Sequence, residues 1–96
     1  MTKADIVSSI SDQLGIDKTD VQVTIEKVMH EVKDSLENGE NVYLRGFGSF
    51  IIKTRAEKTG RNISKNVAVK IPAHNIPAFK PAKVFVNGVK SKVEVA

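Results

Sequence analysis

The first part of this 96-residue chain alternates apolar and polar residues with the period of an α-helix. Ile6, Ile10 and Leu14 lie four residues apart, so they form one apolar stripe on a helix. Thr2 precedes this stripe and carries the side-chain oxygen that an N-cap needs to accept a backbone N–H. The pattern therefore predicts a first helix over about residues 3–14.

A second and longer stripe follows after a short gap. Its members are Val21, Ile25, Val28, Val32 and Leu36, at spacings of three or four residues. With Asp17 as the expected N-cap, this stripe predicts a helix over about residues 18–37. Because the connection is short, we expect the two helices to form a hairpin over residues 1–38.

Beyond the second helix the apolar residues are grouped as in β-strands. Val42–Leu44 and Phe50–Ile52 are two β-prone runs on either side of Gly46-Phe47-Gly48. Two glycines around one aromatic residue predict a tight turn that places Phe47 in a core. Valine and isoleucine then alternate with other residues over positions 67–71, as expected of a returning strand.

The segment between these strands, about residues 53–70, is basic and has no continuous apolar face. We therefore expect it to project as a β-hairpin arm from a sheet within residues 41–80. The body that remains is small and marginal on its own, which favours a dimer. The candidates for a shared dimer core are Phe47, Phe50, Phe79, Val42, Leu44 and Val32. A monomer with an unusually mobile loop is the alternative.

The C-terminal part has conflicting local signals. Pro72 and Pro77 argue against a central position for the returning strand beyond residue 71, because proline has no N–H to donate to a neighbouring strand. Within residues 82–96, Val84–Val86 followed by Asn87-Gly88 is typical of a strand that enters a hairpin turn. A basic C-terminal helix is the competing interpretation.

The distribution of charge changes the picture of function. The net charge is +4, but residues 1–44 contain four Lys and nine acidic residues, which gives −5. Residues 45–96 contain eleven Lys or Arg and two Glu, which gives +9. Such a split predicts a polyanionic partner for the second half of the chain. Two solvated faces of opposite charge are the alternative.

Residues with catalytic or metal-binding patterns are missing from the sequence. There is no Cys, so neither a disulfide nor a thiolate metal site can form. The Gly46-Phe47-Gly48 run lacks the third glycine of a dinucleotide loop. His30 is expected on a solvated helix face, and His74 in a loop between two prolines. No apolar run exceeds three residues, so no membrane span is expected. We predict no enzyme activity, no cofactor and no metal.

Three ordered blocks of sequence carry a resemblance to a known family. They are Gly46–Phe50 (GFGSF), Arg55–Asn62 (RAEKTGRN) and Asn75–Lys83 (NIPAFKPAK). Together with the two N-terminal helices, they resemble the HU and integration host factor family of bacterial histone-like DNA-bending proteins. The resemblance implies an α+β fold and an intertwined dimer, as a homodimer or a heterodimer. Two helical hairpins would lie beneath a β-saddle with two long arms, and a short C-terminal helix would follow.

The resemblance also implies a partner and a site. The arms would bind the minor groove of double-stranded DNA and bend it, a mode of binding for which this family is a standard example. The protein would then compact the nucleoid and help to assemble nucleoprotein complexes in the cytoplasm. The implied arm cations are Lys53, Arg55, Lys58, Arg61, Lys65 and Lys70, with Asn62 in the tip motif. Lys80 and Lys83 would lie on the flank of the saddle, and Lys3 and Arg45 would face phosphates of the bent DNA.

Ile63 is the main departure from the family. It occupies the tip position where the family usually has proline, and the resemblance implies that it wedges between base pairs. A tip glycine is likewise replaced by Asn66. Because proline fixes φ and isoleucine does not, the kink angle need not match that of other members.

Two other classes of partner fit the residues less well. A single-strand or RNA binder would need aromatic platforms for base stacking. The arm has no aromatic residue between Ile51 and Ile71. A membrane-surface protein would need a basic amphipathic helix. Both predicted N-terminal helices are acidic instead.

Overall fold

The two N-terminal helices match their predicted bounds in a computed structural model, which describes residues 1–62 and 67–95. Helix α1 spans Lys3–Leu14 and helix α2 spans Lys18–Glu37. The Thr2 hydroxyl accepts from the backbone N–H of Asp5, and the Asp5 carboxylate accepts from the backbone N–H of Thr2. This capping box fixes the start of α1.

Asp17 does not cap α2 as predicted. It occupies the N-cap position, but its side chain makes no capping hydrogen bond. The Asp17 backbone nevertheless takes part in the start of α2, since the Val21 N–H donates to the Asp17 carbonyl at 3.1 Å. Val21 and Val7 are both buried, and they join α2 to α1 in the expected helical hairpin.

Five strands and a third helix follow the helical hairpin. The strands are β1 (Val42–Leu44), β2 (Gly48–Arg55), β3 (Lys58–Asn62), β4 (Val67–Ile71) and β5 (His74–Pro81). All pairings among them are antiparallel, in a three-stranded sheet of order β1-β2-β5 and a two-stranded sheet of β3 and β4. Helix α3 spans Lys83–Lys92. The predicted α+β class and the C-terminal helix are confirmed, and the alternative of a C-terminal hairpin turn is wrong.

The β2–β5 pair and the β3–β4 pair form one long hairpin with a single interruption. Arg55 pairs with His74 at the end of β2, and Lys58 pairs with Ile71 at the start of β3. Two residues intervene on each side, so the register continues unchanged and no bulge is needed. Pro72 lies in this gap and has no N–H for the ladder, which accounts for the break in pairing.

The loop predicted around His74 is therefore wrong, because His74 begins β5. Both Pro77 and His74 lie on β5, which pairs only with β2 within the described sheet. The edge position has a physical reason, since the prolines of this strand cannot donate hydrogen bonds to a second neighbour.

The turn between β1 and β2 requires both of its glycines. Gly46 has φ +83°, in the left-handed region, and the Phe47 N–H donates to the Leu44 carbonyl at 2.9 Å. At Gly48 a Cβ atom would lie 2.6 Å from the Phe79 ring. The turn thus carries Phe47 into contact with two other rings, at centroid distances of 5.2 Å from Phe79 and 5.5 Å from Phe85.

A single chain leaves most of this apolar surface uncovered. Among the described residues, only Val7 and Val21 are buried hydrophobic residues. Phe47 keeps 47% of its surface exposed, so one chain does not bury it, and its place in a shared dimer core stays a prediction. The fold therefore has an open apolar face that an isolated protomer cannot close.

Candidate nucleic-acid interface

The hairpin arm presents exposed cations along its length. Lys53 and Arg55 lie near the end of β2, and Lys58 begins β3 on the far side of the interruption. All three side chains are exposed. The backbone of Arg61 and Asn62 completes β3. Two predicted site residues of the tip, Ile63 and Lys65, lie outside the described residues.

Lys70, one of the predicted arm cations, forms an ion pair on the arm. Its ammonium group lies 2.9 Å from the carboxylate of Glu57, and both side chains are at least half exposed. In the continuous register Glu57 lies opposite Pro72, so Lys70 is its diagonal neighbour on the same face of the hairpin. The pair spans the two strands beside the interruption, and it offsets one positive charge of the arm.

The two strands are also joined on the body side of the interruption. The Thr54 hydroxyl donates to the Asn75 side-chain oxygen at 2.7 Å, and these residues are direct partners in the ladder. On the returning side of the hairpin, His74 Nδ1 also lies 3.1 Å from the carbonyl oxygen of Pro72, two positions earlier. Side-chain contacts therefore bracket the gap, where ladder pairing is lost.

A second basic surface lies beside the β1–β2 turn. Arg45, Lys80 and Lys83 line one groove of about 510 Å³. The three residues come from the turn, from β5 and from the first turn of α3. The Ala82 N–H donates to the Phe47 carbonyl at 2.8 Å and so fixes the start of α3 against this turn. The structure thus brings together three predicted site residues, although Arg45 is 35 positions from Lys80 and 38 positions from Lys83 in the sequence.

Lys3 is not part of that groove. It begins α1, and its ammonium group lies 3.8 Å from the Glu26 carboxylate on α2. Both side chains remain nearly half exposed, so the contact is a surface ion pair of small energetic value. The predicted phosphate contact of Lys3 would have to form beside this acid.

The predicted dimer-core residues lie along an open apolar groove. The groove has a volume of about 710 Å³ and lies between α2 and the sheet. Four of the six predicted core residues line it: Val32, Leu44, Phe47 and Phe50. Phe79 contacts both Phe50 and Phe47 from the adjoining aromatic cluster. Val42 is half-buried on β1 and does not line the groove.

Phe85 is a member of this cluster that the sequence analysis missed. Its ring stacks on Phe47 with an interplanar angle of 17°, and it lies 6.3 Å from Phe79. The sequence left both a strand and a helix open for residues 82–96. The side chain of Phe85 points in a different direction in each, so its contact with Phe47 could not be predicted.

The described part of the chain holds no cluster of His, Cys, Asp or Glu suited to a metal ion. Over the same residues, no helix combines the length and the apolar character needed to cross a bilayer. The distinctive chemistry of the described surface is thus its positive charge on the arm and beside the turn, next to an uncovered apolar groove.

Comparisons with known proteins agree with this arrangement. The family model described as bacterial DNA-binding protein matches residues 1–90. The chain is 38% identical over 90 residues to DNA-binding protein HU of Thermus thermophilus, covering 94% of this chain and 93% of that protein. It is 33% identical over 93 residues to the integration host factor subunit alpha of Anaeromyxobacter sp. (strain K), covering 97% of this chain and 82% of that protein.

Solved structures show the same likeness. HU of Anabaena in a cocrystal structure with DNA superposes with a TM-score of 0.86 at 28% identity, over 98% of this chain and 100% of that one. An HU variant of Thermotoga maritima has a TM-score of 0.69 at 22% identity, over 93% and 99% of the two chains, and supports the fold alone. By sequence over nearly its whole length and by fold, the chain belongs to the HU and integration host factor family of bacterial DNA-binding proteins.

Proposed function

We propose that this protein is an architectural DNA-binding protein that grips the minor groove of double-stranded DNA with its hairpin arm and bends the duplex. The observation that carries the proposal is the arm itself. It continues the β2–β5 ladder in one register as far as Asn62 and Val67, and it exposes Lys53, Arg55 and Lys58 along the way. A thin two-stranded ribbon with cations fits a narrow groove lined by phosphates.

The active unit of the proposal is a dimer of this chain with itself or with a related subunit. The apolar groove beside α2 and the exposed aromatic cluster supply the surface for the partner. One chain then brings one arm, and two arms hold the duplex from both sides. Residues 1–96 act as a single DNA-binding unit, with the helical hairpin as its base.

Each predicted site residue has a role within this proposal. The cations of the arm neutralise phosphates, together with Arg61, Lys65 and Asn62 near the tip. Arg45, Lys80 and Lys83 hold the DNA where it passes the body, since they share one groove. Ile63 acts as the wedge, because an apolar side chain between two base pairs partly unstacks them and opens a kink.

Sequence readout is weak in this mode of binding. The minor groove distinguishes little beyond A·T from G·C pairs, so preference for a site arises mainly from how easily its DNA bends. The protein compacts the bacterial nucleoid in the cytoplasm and helps nucleoprotein complexes to assemble. It has no catalytic activity and needs no cofactor.

A gel-shift comparison of linear, nicked and four-way-junction duplexes tests the proposal. Tighter binding to nicked and junction DNA is expected, because part of the bending energy has already been supplied in these substrates. Equal affinity for the three duplexes, with a steep salt dependence, would indicate attraction to charge without bending. Absence of binding to all three would refute the proposal altogether.

A further inference from the structure

His74 lies at the root of the arm, beside the cations of the proposed DNA site. It begins β5, it is exposed, and it pairs with Arg55 at the last step of the β2–β5 ladder. In a directly opposed pair the Cβ atoms lie about 4.5–5.5 Å apart. The imidazole and guanidinium groups therefore share one face of the ribbon, at the point where the arm leaves the body.

Strand alternation shows which face of the ribbon this is. Phe50 and Ile52 of β2 line the apolar groove beside α2. Because successive side chains of a strand point to opposite faces, Arg55 and its direct partner His74 are turned to the other face. Lys80 follows His74 by an even number of positions on β5, so it shares that face, and it lines the basic groove. His74 thus lies on the face that carries proposed phosphate ligands.

The hydrogen bond of the His74 ring decides which of its nitrogens can meet a phosphate. Nδ1 lies 3.1 Å from the carbonyl oxygen of Pro72. A carbonyl oxygen only accepts, so Nδ1 carries the hydrogen of this bond. In the neutral ring Nε2 is then an acceptor, which presents a lone pair to an approaching phosphate. Protonation turns Nε2 into a second donor and gives the ring a positive charge.

Three charged side chains face the ring from the opposite side of the hairpin: Arg55 directly, and Lys53 and Glu57 diagonally. The carboxylate of Glu57 is already paired, since it lies 2.9 Å from the ammonium group of Lys70. Within the described ranges no carboxylate lies within 4.0 Å of the His74 ring. The charge of a protonated His74 is therefore not offset by the protein, and a DNA phosphate is the anion available to it.

We propose that His74 is a pH-dependent phosphate contact, whose protonated Nε2 donates to a DNA phosphate that Arg55 also binds. The proposal rests on the proposed function, since it assigns a regulation to the same DNA site. Imidazole groups change charge between about pH 5 and 8. A bound phosphate favours the charged ring, so DNA binding takes up at most one proton per arm. The protein therefore binds DNA more tightly in mildly acidic than in mildly alkaline solution.

The experiment measures the affinity of the full chain for one linear duplex between about pH 5.5 and pH 8, by fluorescence anisotropy at several fixed salt concentrations. His74→Gln keeps a neutral polar side chain at every pH of this range, and His74→Lys keeps a positive charge. His30→Gln is the matched control, because it removes the other histidine of the chain, which is exposed on α2.

The wild type should bind about eightfold more tightly per arm at the acidic end than at the alkaline end in 0.1 M salt, since one more phosphate contact adds about 0.9 to the log–log slope against salt. His74→Gln should bind at every pH as the wild type does in alkaline solution. His74→Lys should bind at every pH as the wild type does in acidic solution. His30→Gln should keep the wild-type pH profile.

A pH profile that persists in His74→Gln, or that disappears in His30→Gln, would overturn the proposal. So would its loss in Glu57→Gln, because a protonated His74 would then act by drawing Glu57 away from Lys70 and not through a phosphate. Thermal unfolding at both ends of the pH range checks that the variants remain folded. Wild-type binding without any pH dependence would refute this proposal alone. Absence of wild-type binding at every pH would instead refute the proposed function, so the two failures are distinguishable.

Discussion

The ion pair between Glu57 and Lys70 gives the sharpest quantitative prediction for DNA binding. The carboxylate lies 2.9 Å from the ammonium group and offsets one cation on each arm. Replacing Glu57 by Gln removes that charge and frees Lys70 for a phosphate. At about 0.9 in log–log slope per phosphate contact, a dimer with two arms should steepen its salt slope by about 1.8.

The slope of about 0.9 per phosphate contact also sets the expected change in affinity. Lowering the salt concentration fourfold should raise the affinity of Glu57→Gln relative to wild type by about 3.5-fold per arm, or about 12-fold for both arms. The cost in stability should be small, about 0.2–1 kcal/mol, because the pair is exposed. The assay is a fluorescence anisotropy titration of one duplex at several salt concentrations, with thermal unfolding measured in parallel.

The matched control is the double variant Glu57→Gln/Lys70→Gln, which keeps the net charge of the arm. It should bind nearly as the wild type does, with an unchanged salt slope. A Glu57→Gln variant that binds more weakly than wild type, with no steeper slope, would refute the reasoning. It would show that the pair matters for holding β3 against β4 beside the Pro72 gap, and that its charge does not govern affinity.

The other predictions concern the dimer, the turn and the tip. Sedimentation at micromolar concentration should give twice the 10.5 kDa of one chain, and a mass near 10.5 kDa would contradict the dimer. Phe47→Ala and Phe50→Ala should each destabilise the dimer by about 3–5 kcal/mol in thermal or denaturant unfolding, if the groove is closed by the partner; unchanged stability would place these rings outside the interface. Gly48→Ala should cost about 1–3 kcal/mol, because its Cβ would lie 2.7 Å from the Lys80 carbonyl oxygen, which the ladder holds in place; a wild-type melting temperature would contradict that clash. Ile63→Ala should reduce the bend angle, measured by fluorescence energy transfer at saturating protein, more than it reduces binding, while Ile63→Pro should keep the bend; equal angles for Ile63→Ala and wild type would refute the wedge.

Local features of the sequence were sufficient for the helical hairpin and for the arm. The bounds of α1 and α2 follow from apolar periodicity and from the residue types at their ends. Thr2 and Asp17 stand at the N-caps, and Gly15 and Asn38 stand at the C-caps. All of these signals involve neighbours in the chain. The arm follows from an equally local property, since a segment without a continuous apolar face has nothing to bury.

Asp17 is an example of a local signal that predicts a helix start without predicting its hydrogen bonds. Its residue type and position both fit an N-cap, but its side chain makes no capping bond. The helix begins there regardless, because the apolar stripe that follows is anchored by Val21 against α1. A residue type that is preferred at helix starts therefore predicts the helix boundary better than it predicts a capping hydrogen bond.

Only the tertiary structure decided the contacts between distant residues. Val84–Val86 and Asn87-Gly88 have local preferences for a strand and a turn, yet they form α3, because the helix places Phe85 on the ring of Phe47. The pairing of Glu57 with Lys70 and the shared groove of Arg45 and Lys80 depend in the same way on strand register and on the β1–β2 turn. Burial and charge pairing between residues far apart in sequence outweigh local propensities of less than about 1 kcal/mol per residue, and no single stretch of the chain contains that information.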